Sequence, residues 1–197
     1  GGMIAPSWFD RPLSLAGRVI VSANGKLQSR LVNFDRDMLL IPSVAPHFKR
    51  AGEKDELNMQ TDLLPIYGDG AARGTFRKML AEAVEVSEEN ILGHDLFVYP
   101  HQKGSIWGPS GEFLASPRLD DLQCAFACFQ GFLAGRRQEY AAMFCLFDNE
   151  EVGSLTRQGA ASTFLKDTLA RICESLGMCR QDYLAAIADS LMVSADN

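Results

Sequence analysis

The sequence lacks several features that would assign it to a specialised class of protein. It has no run of about 20 apolar residues, and its N-terminus has no basic region followed by an apolar one. We therefore expect no membrane partner and a cytoplasmic location. Acidic residues outnumber basic ones, 25 to 19, and no basic stripe carries interleaved aromatic residues. The net charge of -6 therefore argues against nucleic acid as a partner.

Cysteine is also too scarce and too irregular for a disulfide scaffold. The chain has five cysteines, an odd number without a regular framework. Cys124 and Cys128 lie four residues apart in an apolar run, so they share one face of a predicted helix. As zinc ligands they would need two further partners at suitable spacing, and the sequence offers none. We expect them to be reduced and buried in the core.

What is present fits a soluble globular protein, with 47% hydrophobic and 22% charged residues in 197. The first half reads as strands and turns, with the Asn24-Gly25 dipeptide indicating a hairpin and Leu27 to Phe34 forming the return strand. Phe76, Met79 and Leu80 recur at helical spacing and predict a helix.

The second half alternates predicted helices and strands. A helix from Asp120 to Ala134 is almost continuously apolar or small and is expected to be buried on most sides. Strands are predicted over 141–147 and from Met192, and further helices over 154–176 and 180–191, with Gly177 ending the first of these. This order favours an α/β fold with a largely parallel sheet.

Three acidic sites lie at the edges of these predicted elements. Glu150 and Glu151 follow an apolar run, and two adjacent carboxylates repel each other unless a cation or proton intervenes. Alternatively, both belong to the first turn of the next helix, where the helix dipole favours acids. Asp120 precedes a helix and has an N-cap as its alternative role. Asp196 ends an apolar run and has a routine strand-end role as its alternative.

Several motifs in the sequence resemble those of the aspartyl aminopeptidase family, in the correct order and across the whole chain. They are Ser116-Pro117-Arg118-Leu119-Asp120-Asp121-Leu122, Asp148-Asn149-Glu150-Glu151-Val152-Gly153-Ser154 and Val193-Ser194-Ala195-Asp196, with Gly1-Gly2, Trp8-Phe9-Asp10-Arg11 and Leu15-Ala16-Gly17-Arg18-Val19 near the start.

The resemblance implies a peptidase with two zinc ions in each active site, with manganese or cobalt as possible replacements. Asp120 matches the carboxylate that bridges both metals, Glu151 matches a ligand of one metal, and Asp196 matches a ligand of the other. Glu150 matches the general base that accepts a proton from the attacking water. The expected substrate is a peptide with an acidic N-terminal residue, aspartate or glutamate.

The resemblance also implies a domain organisation. Residues 12–112 resemble a β-rich dimerisation domain that is inserted into an α/β zinc-peptidase domain, to which 1–11 and 113–197 belong. The expected partner is therefore a second copy of the chain. His47 lies in a loop resembling one whose histidine reaches the active site of a neighbouring subunit. Its alternative is an exposed loop histidine with no role.

One departure from the family pattern concerns its two histidine metal ligands. One lies far upstream and the other far downstream of these motifs, and His47, His94 and His101 match neither. For His94 and His101 we expect solvent-facing or capping roles. We expect the chain to be a central fragment of a longer protein, catalytically inactive in isolation and a poor zinc binder. The alternative function is a non-catalytic oligomerisation module that retains a peptidase-derived core.

Overall fold

The computed structural model describes residues 4–48, 57–135 and 139–196, which mix helices with antiparallel sheets in an α/β fold. These residues divide into two compact units, 4–117 and 118–196. The boundaries predicted for an inserted domain, 12–112, and its role in dimerisation stay predictions. No helix in the described ranges is long and apolar enough to cross a membrane.

The first unit is built on a three-stranded antiparallel sheet. Its strands are β1 (Leu13–Ala23), β2 (Lys26–Asn33) and β3 (Ile91–Pro100), in the order β2-β1-β3. Asn24 and Gly25 connect β1 to β2 with φ angles of 52° and 70°. A two-residue hairpin turn of this type needs positive φ at both central positions, and Asn-Gly adopts these angles readily. The hairpin predicted from the dipeptide is confirmed.

One face of this sheet carries the core of the unit. Helix α1 (Phe76–Ala83) packs its buried Leu80 against Val19 and Val21 of β1. A second buried cluster joins Leu13, Leu15, Leu39 and Ile41. A short hairpin of β4 (Ser105–Trp107) and β5 (Phe113–Ala115) completes the unit. Short 3-10 helices span Ala5–Trp8, Pro46–Phe48, Gly70–Ala72 and Glu88–Asn90.

Truncation of Leu80 tests the packing of α1 on the sheet. Its side chain is 1% exposed, so Leu80→Ala removes buried methyl groups and leaves a cavity. We expect the free energy of unfolding to fall by about 2–5 kcal/mol in urea titrations. Leu27 on β2 is 74% exposed, and Leu27→Ala is the control, with an expected change within about 0.5 kcal/mol. Equal losses in both variants would contradict this description of the core.

Residue His101 follows β3 and is held between two carboxylates. Its Nδ1 lies 2.5 Å from Oδ1 of Asp37, and its Nε2 lies 3.2 Å from Oδ1 of Asp35. The side chain is only 22% exposed, so the solvent-facing role expected for His101 is wrong. His94, on β3, is exposed as expected. The hydrogen bond to Asp37 raises the pKa of His101 above its usual value, partial burial opposes this, and Asp35 adds to the increase.

The raised pKa of His101 predicts a pH dependence of stability. A histidine whose pKa is higher in the folded than in the unfolded chain stabilises fully below about pH 6.5, the unfolded value, and loses this contribution as pH rises through the folded value. Between the unfolded and the folded pKa of His101, the thermal midpoint of the first unit should therefore decrease with rising pH. The decrease should be larger in the parent chain than in His101→Gln. His94→Gln should keep the parental slope, and a slope unchanged in His101→Gln would contradict the pairing.

The second unit contains helices α2 (Leu119–Ala134), α3 (Phe164–Ser175) and α4 (Arg180–Ala188). The helix predicted from Asp120 is confirmed, but its predicted burial is wrong, because Phe126 is 65% exposed and Leu133 is 59% exposed. Its cysteines are reduced as expected, with Cys124 half-buried and Cys128 exposed rather than in a core. The described residues of this unit contribute none of the buried hydrophobic side chains, and α2 is contacted only in part, with Phe129 and Phe132 each facing the ring of Phe144.

The strands predicted over 141–147 and from Met192 are wrong, since neither segment pairs in a ladder among the described residues. A strand needs a hydrogen-bonded neighbour, and apolar composition alone does not provide one. The helix predicted over 154–176 is shorter at its start. Gly159 turns so tightly that a Cβ there would lie 2.3 Å from the carbonyl oxygen of Ser154. The end at Gly177 is confirmed, with a φ of 77°.

Candidate metal-binding carboxylates

The two adjacent glutamates lie in a compact turn rather than in a helix. The carbonyl of Asn149 accepts the N–H of Gly153 at 2.8 Å, which closes the turn that contains Glu150 and Glu151. Helix α3 begins only at Phe164, so the alternative that the pair merely occupies the first turn of the next helix is wrong. Glu150 and Glu151 are both exposed.

The segment 148–161 is held together by its own hydrogen bonds. The N–H of Asp148 donates to the carbonyl of Gln158 at 3.2 Å, which joins the two ends of the loop. Farther along, the N–H of Thr156 donates to the carbonyl of Gly153, and the N–H of Ala161 donates to the carbonyl of Ser154, both at 3.0 Å. The loop that carries the glutamates therefore has a defined shape without regular secondary structure.

Residue Asp120 lies at the start of α2. The element begins after Arg118, which has a left-handed φ of 62° and makes no side-chain capping bond. Asp120 has an extended ψ of 116°, outside the helical range, and its peptide bond to Asp121 is cis. Extended backbone is typical of an N-cap residue, so the N-cap alternative for Asp120 stays open. The carboxylate of Asp120 also interacts with residues distant in sequence.

Those distant residues are Asp196 and Glu151. Partial burial is the largest cause that raises the pKa of Asp120 above its usual range. The negative charges of Asp196 and Glu151, a hydrogen bond with Asp196, and the charge of Asp121 all act in the same direction. Acidic side chains from three separate segments of the second unit thus converge on Asp120, and their mutual repulsion disfavours the fully ionised state.

The other two predicted site residues are Glu150 and His47. Glu150 shares the turn with Glu151 but is not among the groups that raise the pKa of Asp120. His47 lies in the first unit, in the short helix Pro46–Phe48, where it is exposed and its ring contacts Phe48 at 4.3 Å between centroids. The role expected for His47 concerns a neighbouring subunit and stays a prediction.

The carboxylate oxygens have the chemistry of a zinc or manganese site, because both cations accept oxygen ligands. They do not form a complete cage, since the described residues contain no group of three or more His, Cys, Asp or Glu side chains that could hold a metal ion. The donors fit as part of a ligand set. Repulsion among Asp120, Glu151 and Asp196 is what a bound cation would relieve.

Two further residues at this site were not predicted from the sequence. Asp121 adds its charge to those acting on Asp120. Asn149 adopts a left-handed φ of 60° directly before the glutamates, and its side-chain amide donates into the loop. The Asp-Asn dipeptide is a turn signal that could have identified this position, because asparagine tolerates positive φ.

An α/β chain in which acidic side chains from separate segments converge is typical of metal-dependent hydrolases. Comparison with protein families agrees: a family described as "Aminopeptidase I zinc metalloprotease (M18)" matches residues 1–197. The chain is 40% identical over its whole length to a probable M18 family aminopeptidase 2 of Clostridium acetobutylicum, and 38% identical to one from Pseudomonas entomophila. It belongs to the M18 family of zinc metalloproteases.

Solved structures show the same relationship. The structure of Chaetomium thermophilum mApe1 matches 88% of this chain with a TM-score of 0.73 at 32% identity, and 44% of that protein is covered. The S. cerevisiae mApe1 dodecamer matches 91% of this chain with a TM-score of 0.66 at 27% identity, and 42% of that protein is covered. The chain spans about half the length of the curated relatives it matches, 47% for the C. acetobutylicum protein.

Proposed function

We propose that the longer protein containing this chain is a zinc-dependent aminopeptidase, and that Asp120, Glu151 and Asp196 supply part of its metal ligands. The observation that carries the proposal is the hydrogen bond of Asp120 with Asp196, together with the charge of Glu151 acting on Asp120 from a third segment. Membership of a zinc metalloprotease family supports it. Asp120 is the proposed bridge between two metal ions, because it matches the bridging carboxylate of the aspartyl aminopeptidases and interacts with carboxylates from both of the other segments.

Bound zinc would supply Lewis acidity to the attacking water and to the carbonyl group of the scissile peptide bond. Glu150 is the proposed general base, which accepts a proton from that water and passes it to the leaving amine. Its place beside Glu151 supports this role, because a base and a metal ligand carried by one turn keep a fixed separation. The native metal is proposed to be zinc, with manganese and cobalt as possible substitutes.

The proposed substrate is a peptide with an N-terminal aspartate or glutamate. This specificity is supported by the motifs around Asp120, Glu150 and Asp196, which resemble those of aspartyl aminopeptidases. We propose that His47 of one subunit reaches the active site of another, which is compatible with its exposed position. We propose homo-oligomerisation through residues 12–112. Oligomer formation as such is supported by the related S. cerevisiae protein, whose solved structure is a dodecamer. A cytoplasmic location is part of the proposal.

The isolated 197-residue chain is proposed to be inactive. Its described residues offer carboxylates but no complete group of metal donors, so each ion would have too few ligands. Weak zinc binding then follows, because affinity depends on the number of ligands and on a preformed geometry. In contrast, the longer protein should retain zinc through gel filtration.

Hydrolysis by the longer protein tests this proposal. Aspartyl, glutamyl, alanyl and leucyl p-nitroanilides are offered to the protein with zinc, manganese or cobalt, and to a sample stripped with a chelator. We expect release from the acidic substrates only, loss after chelation and recovery on metal addition. Release from the neutral substrates instead would contradict the proposed acidic specificity but not the proposed aminopeptidase activity. No hydrolysis with any of these metals would contradict the enzyme and favour a non-catalytic oligomerisation module.

The exposed face of the β1–β3 sheet supports self-association under either function. Leu31 is 85% exposed and Phe97 is 68% exposed, and they project from the face opposite the core. Self-association therefore does not distinguish the two candidate functions. Hydrolysis and zinc content do.

A further inference from the structure

The loop that carries the two glutamates is organised around one side chain. Asn149 precedes Glu150 directly, and its Nδ2 donates to Oγ1 of Thr156 at 3.3 Å, with a longer contact of 3.5 Å to Oε1 of Gln158. Thr156 and Gln158 lie on the returning side of the loop. The amide of Asn149 therefore connects the outgoing and returning sides at the level of the glutamates.

The backbone of Asn149 adds three constraints. Its φ of 60° reverses the chain direction, its N–H donates to Oδ1 of Asp148 at 2.8 Å, and its carbonyl accepts the N–H of Gly153 at 2.8 Å. Main-chain and side-chain bonds from one residue thus fix both ends of the Glu150-Glu151 dipeptide. The loop has no regular secondary structure that could replace these bonds.

We propose that Asn149 is a positioning residue of the site, whose side-chain amide holds the 148–158 loop in the shape that presents Glu150 and Glu151. The proposal rests on the proposed function, in which Glu150 is the base and Glu151 is a metal ligand. Asn149 itself need not touch substrate or metal. Groups that orient metal ligands typically change metal affinity or activity 10- to 100-fold when they are removed.

Two kinds of variant separate the amide from the backbone. Asn149→Gly keeps the left-handed conformation available but removes both side-chain donors. A double variant, Thr156→Val with Gln158→Leu, leaves Asn149 in place and removes the two acceptors. Asn24→Gly is the matched control, because Asn24 has a similar φ of 52° in the β1–β2 hairpin, which lies in the other unit.

The measurements are made on the longer protein, with zinc affinity from chelator competition as a readout independent of turnover. In Asn149→Gly and in the double variant we expect kcat to fall about 10- to 100-fold with KM changed less than about threefold, and zinc affinity to fall by a similar factor. Asn149→Asp, which keeps a side-chain oxygen that can accept from the Thr156 hydroxyl, should recover part of the loss. Asn24→Gly should match the parent in both readouts.

The proposal is overturned if Asn149→Gly keeps the parental zinc affinity, because the left-handed backbone alone would then be enough. It is also overturned if the double variant behaves as the parent, or if Asn24→Gly loses as much as Asn149→Gly. Should the parent itself hydrolyse nothing, the proposed function fails separately, and zinc affinity still decides whether Asn149 positions Glu151.

Discussion

Glu150→Gln in the longer protein is expected to reduce kcat by about 10²- to 10⁴-fold, the range that general-base catalysis contributes. Glutamine has nearly the same shape as glutamate but cannot accept a proton at neutral pH, so the water that attacks the peptide bond loses its base. Binding of substrate depends on other groups, and KM should change little. Steady-state kinetics on an aspartyl p-nitroanilide provides the measurement.

Measurement of zinc content is the control that distinguishes the loss of a general base from the loss of a metal ligand. Because Glu150 is not proposed to be a ligand, the variant should retain about two zinc ions per chain, as the parent should. Glu174→Gln removes a carboxylate from the exposed face of α3 and should leave kcat unchanged. If Glu150→Gln retains parental turnover, the base is another residue, whereas loss of zinc together with activity would make Glu150 a ligand.

Asp120→Ala is expected to have the larger effect on metal content. A bridging carboxylate holds two like-charged ions close together, so its removal affects both metal positions at once. We expect the longer protein to retain less than about one zinc per chain, and hydrolysis to fall by roughly 10³-fold or more, since both the water and the carbonyl group lose their cation. Elemental analysis after gel filtration gives the stoichiometry.

The matched control for Asp120 is another aspartate of the same unit. Asp189 lies at the exposed end of α4, and Asp189→Ala should keep both zinc ions and full activity. Asp120→Ala that still binds two zinc ions would show that the carboxylate does not bridge them. If both aspartate variants lost zinc equally, a general effect of charge or folding would explain the result better than ligation.

The local elements of the fold were predictable from the sequence. The hairpin at Asn24-Gly25, the periodic start of α1 at Phe76 and the stop at Gly177 depend on the conformational preferences of a few neighbouring residues. At Gly177 the amide N–H groups of Gly177 and Met178 bond to the carbonyls of Glu174 and Cys173, both at 3.0 Å. This capping arrangement requires positive φ, which glycine adopts at little cost.

Features set by distant residues were not predictable. His101 follows β3 and the two aspartates follow β2, so they meet because both strands pair with β1, and no local signal in the sequence indicates the pairing of β3. The shortened start of α3 reflects the tight turn at Gly159, whose consequence depends on the facing carbonyl of Ser154. The burial predicted for α2 is wrong, because an apolar composition does not by itself provide residues that cover a helix. None of the described residues of α2 is buried.

The candidate site was predictable only in part. From the residues alone, Asp120, Glu151 and Asp196 each had a routine alternative role, and spacing along the chain does not indicate contact in space. Only the resemblance of the ordered motifs to a known family indicated that the three residues belong to one site. The structure rules out the first turn of a helix as the explanation for the glutamate pair, and it shows that Glu151 and Asp196 act electrostatically on Asp120.

Anomalous diffraction at the zinc absorption edge, from crystals of the longer protein, tests the convergence of these carboxylates most directly. We expect two zinc peaks about 3.5–4 Å apart, with Asp120 between them. Glu151 and Asp196 should each lie at about 2.0–2.2 Å from one of the ions. A zinc peak beyond the reach of all three carboxylates, or no peak in an active sample, would contradict the assignment.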